Sequence, residues 1–261
     1  MHIKANGIDI NYQIDGKDGA PWLIFSNSLA TDFTMWDAQA SAFAATHRVL
    51  RYDQRGHGKT QVTSGRYTFD LLIADAVALM DALSIGKASF GGLSMGGATA
   101  LGLAQRHPDR VERAIVCDSG CASSSQSAAQ WEERIVMAQR SGMEPLVEPT
   151  VARWFPPEVM AKNPPYVDRV RTMVRNTAVD GFIGCSAALA DHDFRSAVAA
   201  TKPPVLFIAG EKDAGGAIST AMKAMHRELE GSRYVELPGA GHISNLDDPA
   251  GFTRALREFL A

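Results

Sequence analysis

The chain has 261 residues, 46% hydrophobic and 21% charged, with 26 Lys and Arg against 29 Asp and Glu. That composition excludes a disordered chain and a strongly basic nucleic-acid surface, and the length supports one large domain or one domain carrying an insertion. There is no run of about 18 apolar residues to span a bilayer, and the opening Met1-His2-Ile3-Lys4-Ala5-Asn6-Gly7 does not read as a signal peptide.

The first elements alternate. Ile3 and then Ile8, Ile10, Tyr12 and Ile14 flank Asn6-Gly7, a pair suited to positive φ, so a hairpin is expected. Trp22-Leu23-Ile24-Phe25 predicts a buried strand. Val49 to Asp53 predicts another, closed by the turn Arg55-Gly56-His57-Gly58. Leu72, Ile73, Ala76, Val77, Met80 and Leu83 have helical spacing over 70–83. A strand is then expected at Lys87–Phe90, a helix from Met95 to about His107, and a strand at Ala114–Cys117. Strands alternating with helices predict an α/β fold: a mostly parallel sheet with helices on both faces.

The rhythm breaks near residue 122. Ser123–Ser127 reads as a polar linker, and 128–198 shows helical patterns without a convincing strand. Strand signals return at Val205–Ala209 and Tyr234–Leu237, and a last helix is expected over Pro249–Leu260. The expectation is a core domain of residues 1–122 and 199–261, interrupted by a helical cap insertion of residues 123–198.

Cysteines number three: Cys117, Cys121 and Cys185. An odd count fits a reducing compartment, hence a cytoplasmic protein without a disulfide framework. Cys117-x-x-x-Cys121 could be half of a zinc site, but no second half is present, and no metal is expected.

The most informative stretch is Phe90-Gly91-Gly92-Leu93-Ser94-Met95-Gly96-Gly97. A serine between small residues, after a strand and before a helix, sits on a strained turn. Its hydroxyl projects above the sheet and the helix N-terminus lies behind it. Such a nucleophile needs a base, and a carboxylate to orient the base, later in the chain. His242 follows a strand in the glycine-rich Pro238-Gly239-Ala240-Gly241-His242, so it is the expected base. Asp213 follows the Val205–Ala209 strand and is the favoured acid, with Asp118 the alternative. Asp53 also ends a strand but precedes the serine; it reads as a turn-bracing carboxylate paired with Arg55.

Together these residues resemble the α/β-hydrolase fold family over essentially the whole chain. Finer features resemble 3-oxoadipate enol-lactonases. They are Ser26-Asn27-Ser28-Leu29-Ala30-Thr31-Asp32 with Met35-Trp36-Asp37; Arg51 to Gly58; Gly92 to Gly97; Arg153-Trp154-Phe155; and Gly241 to Asn245. Many relatives carry His-Gly where Asn27-Ser28 stands, and a Pro/Thr-containing loop where Ala214-Gly215-Gly216-Ala217 follows the acid.

The resemblance implies acyl transfer from a small lactone carrying a carboxylate, with the backbone N–H groups of Leu29 and Met95 holding the oxyanion. No cofactor, nucleic acid or membrane is implied, and a homo-oligomer is left open. A site for that carboxylate is expected in the insertion, from Arg134 near Trp131 and Arg153 beside Trp154. Arg134 is put ahead, because Arg153 could be structural within its triplet. The competing expectations are a carboxylesterase, a carbon–carbon bond hydrolase, or a non-catalytic ligand-binding relative. Dehalogenases and epoxide hydrolases are disfavoured, since those relatives use aspartate where Ser94 stands.

Overall fold

A computed structural model describes all 261 residues. Strands β1 (His2–Ala5) and β2 (Ile8–Asp15) form the expected hairpin, with Ala5 opposite Ile8. Its turn residues Asn6 and Gly7 have φ of 46° and 76°, the left-handed pair that a two-residue hairpin requires. After β3 (Trp22–Ser26) come α1 (Asp37–Phe43), β4 (Arg48–Tyr52), α2 (Phe69–Ala82), β5 (Ala88–Leu93), α3 (Met95–Arg106) and β6 (Val111–Cys117). The chain then forms five helices: α4 (Ser125–Ser141), α5 (Glu144–Trp154), α6 (Pro157–Lys162), α7 (Pro165–Asn176) and α8 (Val179–Asp191). It returns through β7 (Val205–Gly210), α9 (Ala217–Glu228), β8 (Arg233–Leu237), α10 (Ser244–Asp247) and α11 (Pro249–Leu260).

One eight-stranded sheet runs in the order β1-β2-β4-β3-β5-β6-β7-β8. The pairs β1/β2 and β2/β4 are antiparallel, and every pair from β4/β3 to β7/β8 is parallel. Strands β5 and β7 are buried at every residue, which is why they read as short continuous apolar runs without alternation. The chain builds outward from β3 to one side, then crosses to β5 on the other. That crossing opens a crevice at the carboxyl ends of the central strands, where α/β sheets hold their ligands.

Three expectations are corrected. Strand β5 runs on to Leu93 instead of stopping at Phe90, so the ladder continues to the serine itself. The Ser123–Ser127 stretch is not a linker throughout: α4 begins at Ser125, and Ser124 Oγ accepts from Ser127 N–H at 3.1 Å as its N-cap. Asp53 is not paired with Arg55. Its carboxylate accepts from Asn11 Nδ2 (2.7 Å), Phe33 N–H (2.7 Å) and Lys59 N–H (2.9 Å). Arg55 instead makes a buried two-point pair with Asp75, at 2.8 and 2.6 Å. The turn is braced as expected, but by neutral donors, which satisfy a buried carboxylate without a second buried charge.

The helical segment meets the turn after β4 through a glycine–glycine approach. A Cβ on Gly181 of α8 would lie 2.0 Å from Gly56 O. Only two bare backbones fit there. No helix is long and apolar enough to cross a membrane.

Candidate active site

Ser94 caps the N-terminus of α3 with φ 56° and ψ −113°, a conformation that costs a non-glycine residue about 1–3 kcal/mol. The turn is held by its surroundings. Ser94 N–H donates to Cys117 O at 2.8 Å. A Cβ on Gly92 would lie 2.1 Å from Gly96 O, and one on Gly96 would lie 2.3 Å from Ser26 O. The sharp turn therefore needs those two glycines. Met95 is the first residue of α3, so its N–H has no intrahelical acceptor.

The loop after β8 carries His242. Its Nδ1 lies 2.8 Å from Asp213 Oδ2, and Asp213 is buried directly after β7. A carboxylate partner places the proton on Nδ1 and leaves the Nε2 lone pair for a substrate-side proton. The imidazole also stacks on Trp154 at 5.7 Å between ring centroids, and His242 N–H donates to Trp154 O at 2.7 Å.

Asp118, the competing acid, is engaged elsewhere. It accepts from Gly210 N–H at 2.7 Å and from Ser244 Oγ. Burial, then the charge of Asp213, pushes its carboxyl well above the usual carboxylate range. It ties the end of β6 to the segments that carry Asp213 and His242.

Ser94, His242 and Leu29 line one cavity of about 130 Å³. Trp131, Arg153 and Trp154 line it too; Arg134 does not. The two guanidinium groups lie 5.2 Å (Arg134) and 5.9 Å (Arg153) from the Trp131 ring centroid. Neither arginine has an acidic partner among the ion pairs of the chain. Burial, then the charge of Arg153, lowers the Arg134 pKa to about 10. Of the two arginines, only Arg153 lines this cavity, whereas the sequence put Arg134 ahead.

Several lining residues carried no sequence signal. Ser119, Ser123, Ser127 and Gln130 form a polar arc from the end of β6 into α4, and Ile218 comes from α9. His192, just past α8, also lines the cavity; Nδ1 lies 2.9 Å from Leu189 O, and burial lowers its pKa. Serines in a low-complexity run look like linker, and only the packing of α4 against α8 and α5 brings them here. No cluster of His, Cys, Asp and Glu is placed to hold a metal ion.

A family model described as the alpha/beta hydrolase fold matches residues 21–249. The chain belongs to the α/β hydrolase family. This hydrolase is 33% identical to 3-oxoadipate enol-lactonase 2 of Acinetobacter baylyi, over 97% of its own chain and 94% of the relative. It is also 33% identical to 3-oxoadipate enol-lactonase 1 of the same organism, over 100% of its chain and 96% of the relative. Among solved structures, an enol-lactonase from Burkholderia xenovorans LB400 superposes with a TM-score of 0.95 at 37% identity, covering 100% of this hydrolase and 99% of that chain. A thermophilic esterase from Thermogutta terrifontis, solved with malate bound, gives a TM-score of 0.94 at 27% identity, covering 100% and 98%.

Proposed function

We propose that this hydrolase opens 3-oxoadipate enol-lactone to 3-oxoadipate by acyl transfer through Ser94. The full-length likeness to enol-lactonases supports the substrate. The observation that carries the reading within the site is the unpaired Arg153, set with Trp131 on the wall of the cavity that Ser94 and His242 share. A cavity with a nucleophile, a base and a cation lacking an internal partner suits a small acyl compound bearing a separate anion.

In this mechanism His242 Nε2 takes the Ser94 proton as Oγ attacks the lactone carbonyl. Asp213 holds the imidazole in the Nδ1–H tautomer and stabilises the imidazolium that forms. The N–H groups of Leu29 and Met95 receive the oxyanion. Collapse breaks the ring C–O bond. The leaving oxygen departs as an enolate, a better leaving group than an alkoxide. The imidazolium gives up the proton it took from Ser94, and protonation of the enolate at carbon yields the ketone. Water, deprotonated by His242, then attacks the acyl-enzyme and releases 3-oxoadipate with Ser94 restored. No cofactor enters. Residues 123–198 act as a cap bearing the recognition groups over the core of 1–122 and 199–261. Three free thiols, of which Cys117 and Cys185 are buried, support a cytoplasmic setting.

The test is a spectrophotometric assay with freshly generated enol-lactone beside a neutral aryl ester. A kcat/KM for the enol-lactone at least about 100-fold above that for the ester is expected, since correct placement of a charged group is worth that much. Equal rates, or turnover of the ester alone, would turn the assignment to a general carboxylesterase.

A further inference from the structure

Four successive amides follow Asn27 in the loop after β3, and three have partners. Ser28 N–H lies 3.4 Å from Met35 Sδ, Ala30 N–H donates to His57 Nε2 at 2.9 Å, and Thr31 N–H donates to Ser28 O at 3.3 Å. Leu29 N–H has no acceptor in the protein, although Leu29 is only 3% exposed and lines the cavity with Ser94. A buried N–H without an acceptor is costly, so this one is set aside for a ligand oxygen.

Its direction is fixed from both sides. Ser28 O shares a peptide plane with Leu29 N–H and points the opposite way. That oxygen accepts from Asn27 Nδ2 (2.9 Å), Thr31 Oγ1 (2.9 Å) and Thr31 N–H (3.3 Å), so the plane cannot rotate freely. On the other side, Ala30 has φ 55°, a left-handed conformation that alanine avoids unless its surroundings hold it there.

The holding group is His57, buried at 1% exposure in the turn after β4. Its Nδ1 lies 3.1 Å from Arg55 O, which can only accept, so Nδ1 carries the proton and Nε2 is free to accept from Ala30. The ring is neutral, and burial keeps it so, with a pKa of about 4. Cys185 Sγ from α8 lies 3.9 Å from Nδ1, and no carboxylate is bonded to the ring.

We infer that His57 is a positioning residue of the oxyanion site: by accepting from Ala30 N–H it holds the neighbouring Leu29 N–H in place for the tetrahedral intermediate at Ser94. The inference rests on the serine-hydrolase reading above but not on the choice of lactone. It gives a function to a histidine that neither meets the cavity nor joins the pair of His242 and Asp213. It also accounts for a chain in which Asn27 braces the loop through its side chain.

The test compares His57→Leu, which removes the acceptor, with His57→Gln, whose amide oxygen can reach the place of Nε2. Kinetics on the enol-lactone and a neutral aryl ester are read beside two binding constants. One is for an alkylboronic acid, which becomes a tetrahedral anion on Ser94, and the other is for 3-oxoadipate. His57→Leu should lower kcat by about 10- to 100-fold on both substrates with KM little changed, and weaken the boronate by a similar factor while product binding holds. His57→Gln should recover most of the loss. A folded His57→Leu protein with kcat within about twofold of the parent overturns the inference, as does equal weakening of boronate and product. If His57→Leu does not fold, Thr31→Val carries the test by deleting one donor to Ser28 O. Selective loss of boronate affinity supports the clamp, and an unchanged boronate-to-product ratio rejects it. Turnover of the aryl ester but not the enol-lactone would fell the substrate reading alone, because the same His57 comparison runs on the ester. Unimpaired turnover by Ser94→Ala would fell the underlying reading itself.

Discussion

Two helices present residues to the same cavity under opposite conditions. Helix α3 has 12 residues and buries ten of them. Helix α4 has 17 residues and buries only Ile135 and Ala138. The first carries the serine on a turn that glycines and the β6 backbone hold rigid. The second lays Ser127, Gln130 and Trp131 along the cavity wall and leaves Val136 and Met137 exposed. Covalent chemistry needs a group held to a fraction of an ångström, which dense packing supplies. Recognition of a small ligand needs shape and polar groups, which a mostly exposed helix can supply at little cost to the core, while the cation on the same wall, Arg153, comes from the end of α5.

The largest predicted effect breaks the α3 side of that comparison. Ser94→Ala should lower kcat by about 10⁴-fold or more while circular dichroism and Tm stay near the parent. Near-normal turnover in a folded variant would remove the serine from the chemistry. Next is Asp213→Asn, expected to cost about 10²- to 10⁴-fold in kcat, because the imidazole loses its orienting anion. A variant within threefold of the parent would return the role to Asp118.

A third effect sharpens the contrast through stability. His57 is neutral in the fold, with its pKa lowered from 6.5 to about 4 by burial. Between those values the unfolded chain takes up a proton that the fold refuses. Stability should therefore fall as pH drops from 6.5 toward 4, by on the order of 3 kcal/mol for this group, and the contribution should be flat above 6.5. His57→Gln should show a shallower decline of Tm over that window. An identical slope in parent and variant would place the protonation elsewhere.

Effects on the helical segment should be smaller and should depend on substrate. Arg153→Met is expected to lower kcat/KM for the enol-lactone by about 10- to 150-fold and to leave a neutral ester untouched. Arg134→Met should do less, since its guanidinium lies over Trp131 but off the cavity wall. Equal losses on both substrates would make these arginines structural. Smallest is Arg175→Ala, which breaks an exposed pair with Glu144 between α7 and α5. Screening leaves such pairs little net worth, so Tm should move by no more than about 2 °C.

The division between the two helices also explains what was legible in the sequence. The parallel core showed itself because β3, β5, β7 and the Ala114–Cys117 part of β6 are almost wholly buried, and the helix expected over about Pro249–Leu260 is α11. The serine turn announced itself through Gly92 and Gly96, whose side-chain space is occupied by backbone. Asp213 and His242 lie 29 residues apart, and each follows a strand that is plain in the sequence. Ser123, Ser127, Gln130 and His192 could not be found this way. Their meeting depends on how α4 packs against α8 and α5, which no local pattern encodes. His57 is hidden for a related reason. In the sequence it reads as part of the turn Arg55-Gly56-His57-Gly58, and its bond to Ala30 is visible only in three dimensions.

The junction of Trp154 with His242 has a consequence for engineering. The last residue of α5 supplies the carbonyl that receives His242 N–H, and a Cβ on Gly241 would lie 2.3 Å from that same oxygen. The indole then stacks on the imidazole. The helical segment is therefore not an interchangeable module. A chimaera that transplants a new segment between β6 and β7 must keep the backbone path at residue 154, or it will displace His242 as well as alter the pocket. The cavity wall can be rebuilt from α4, few of whose residues are buried, with the end of α5 left as the fixed splice point.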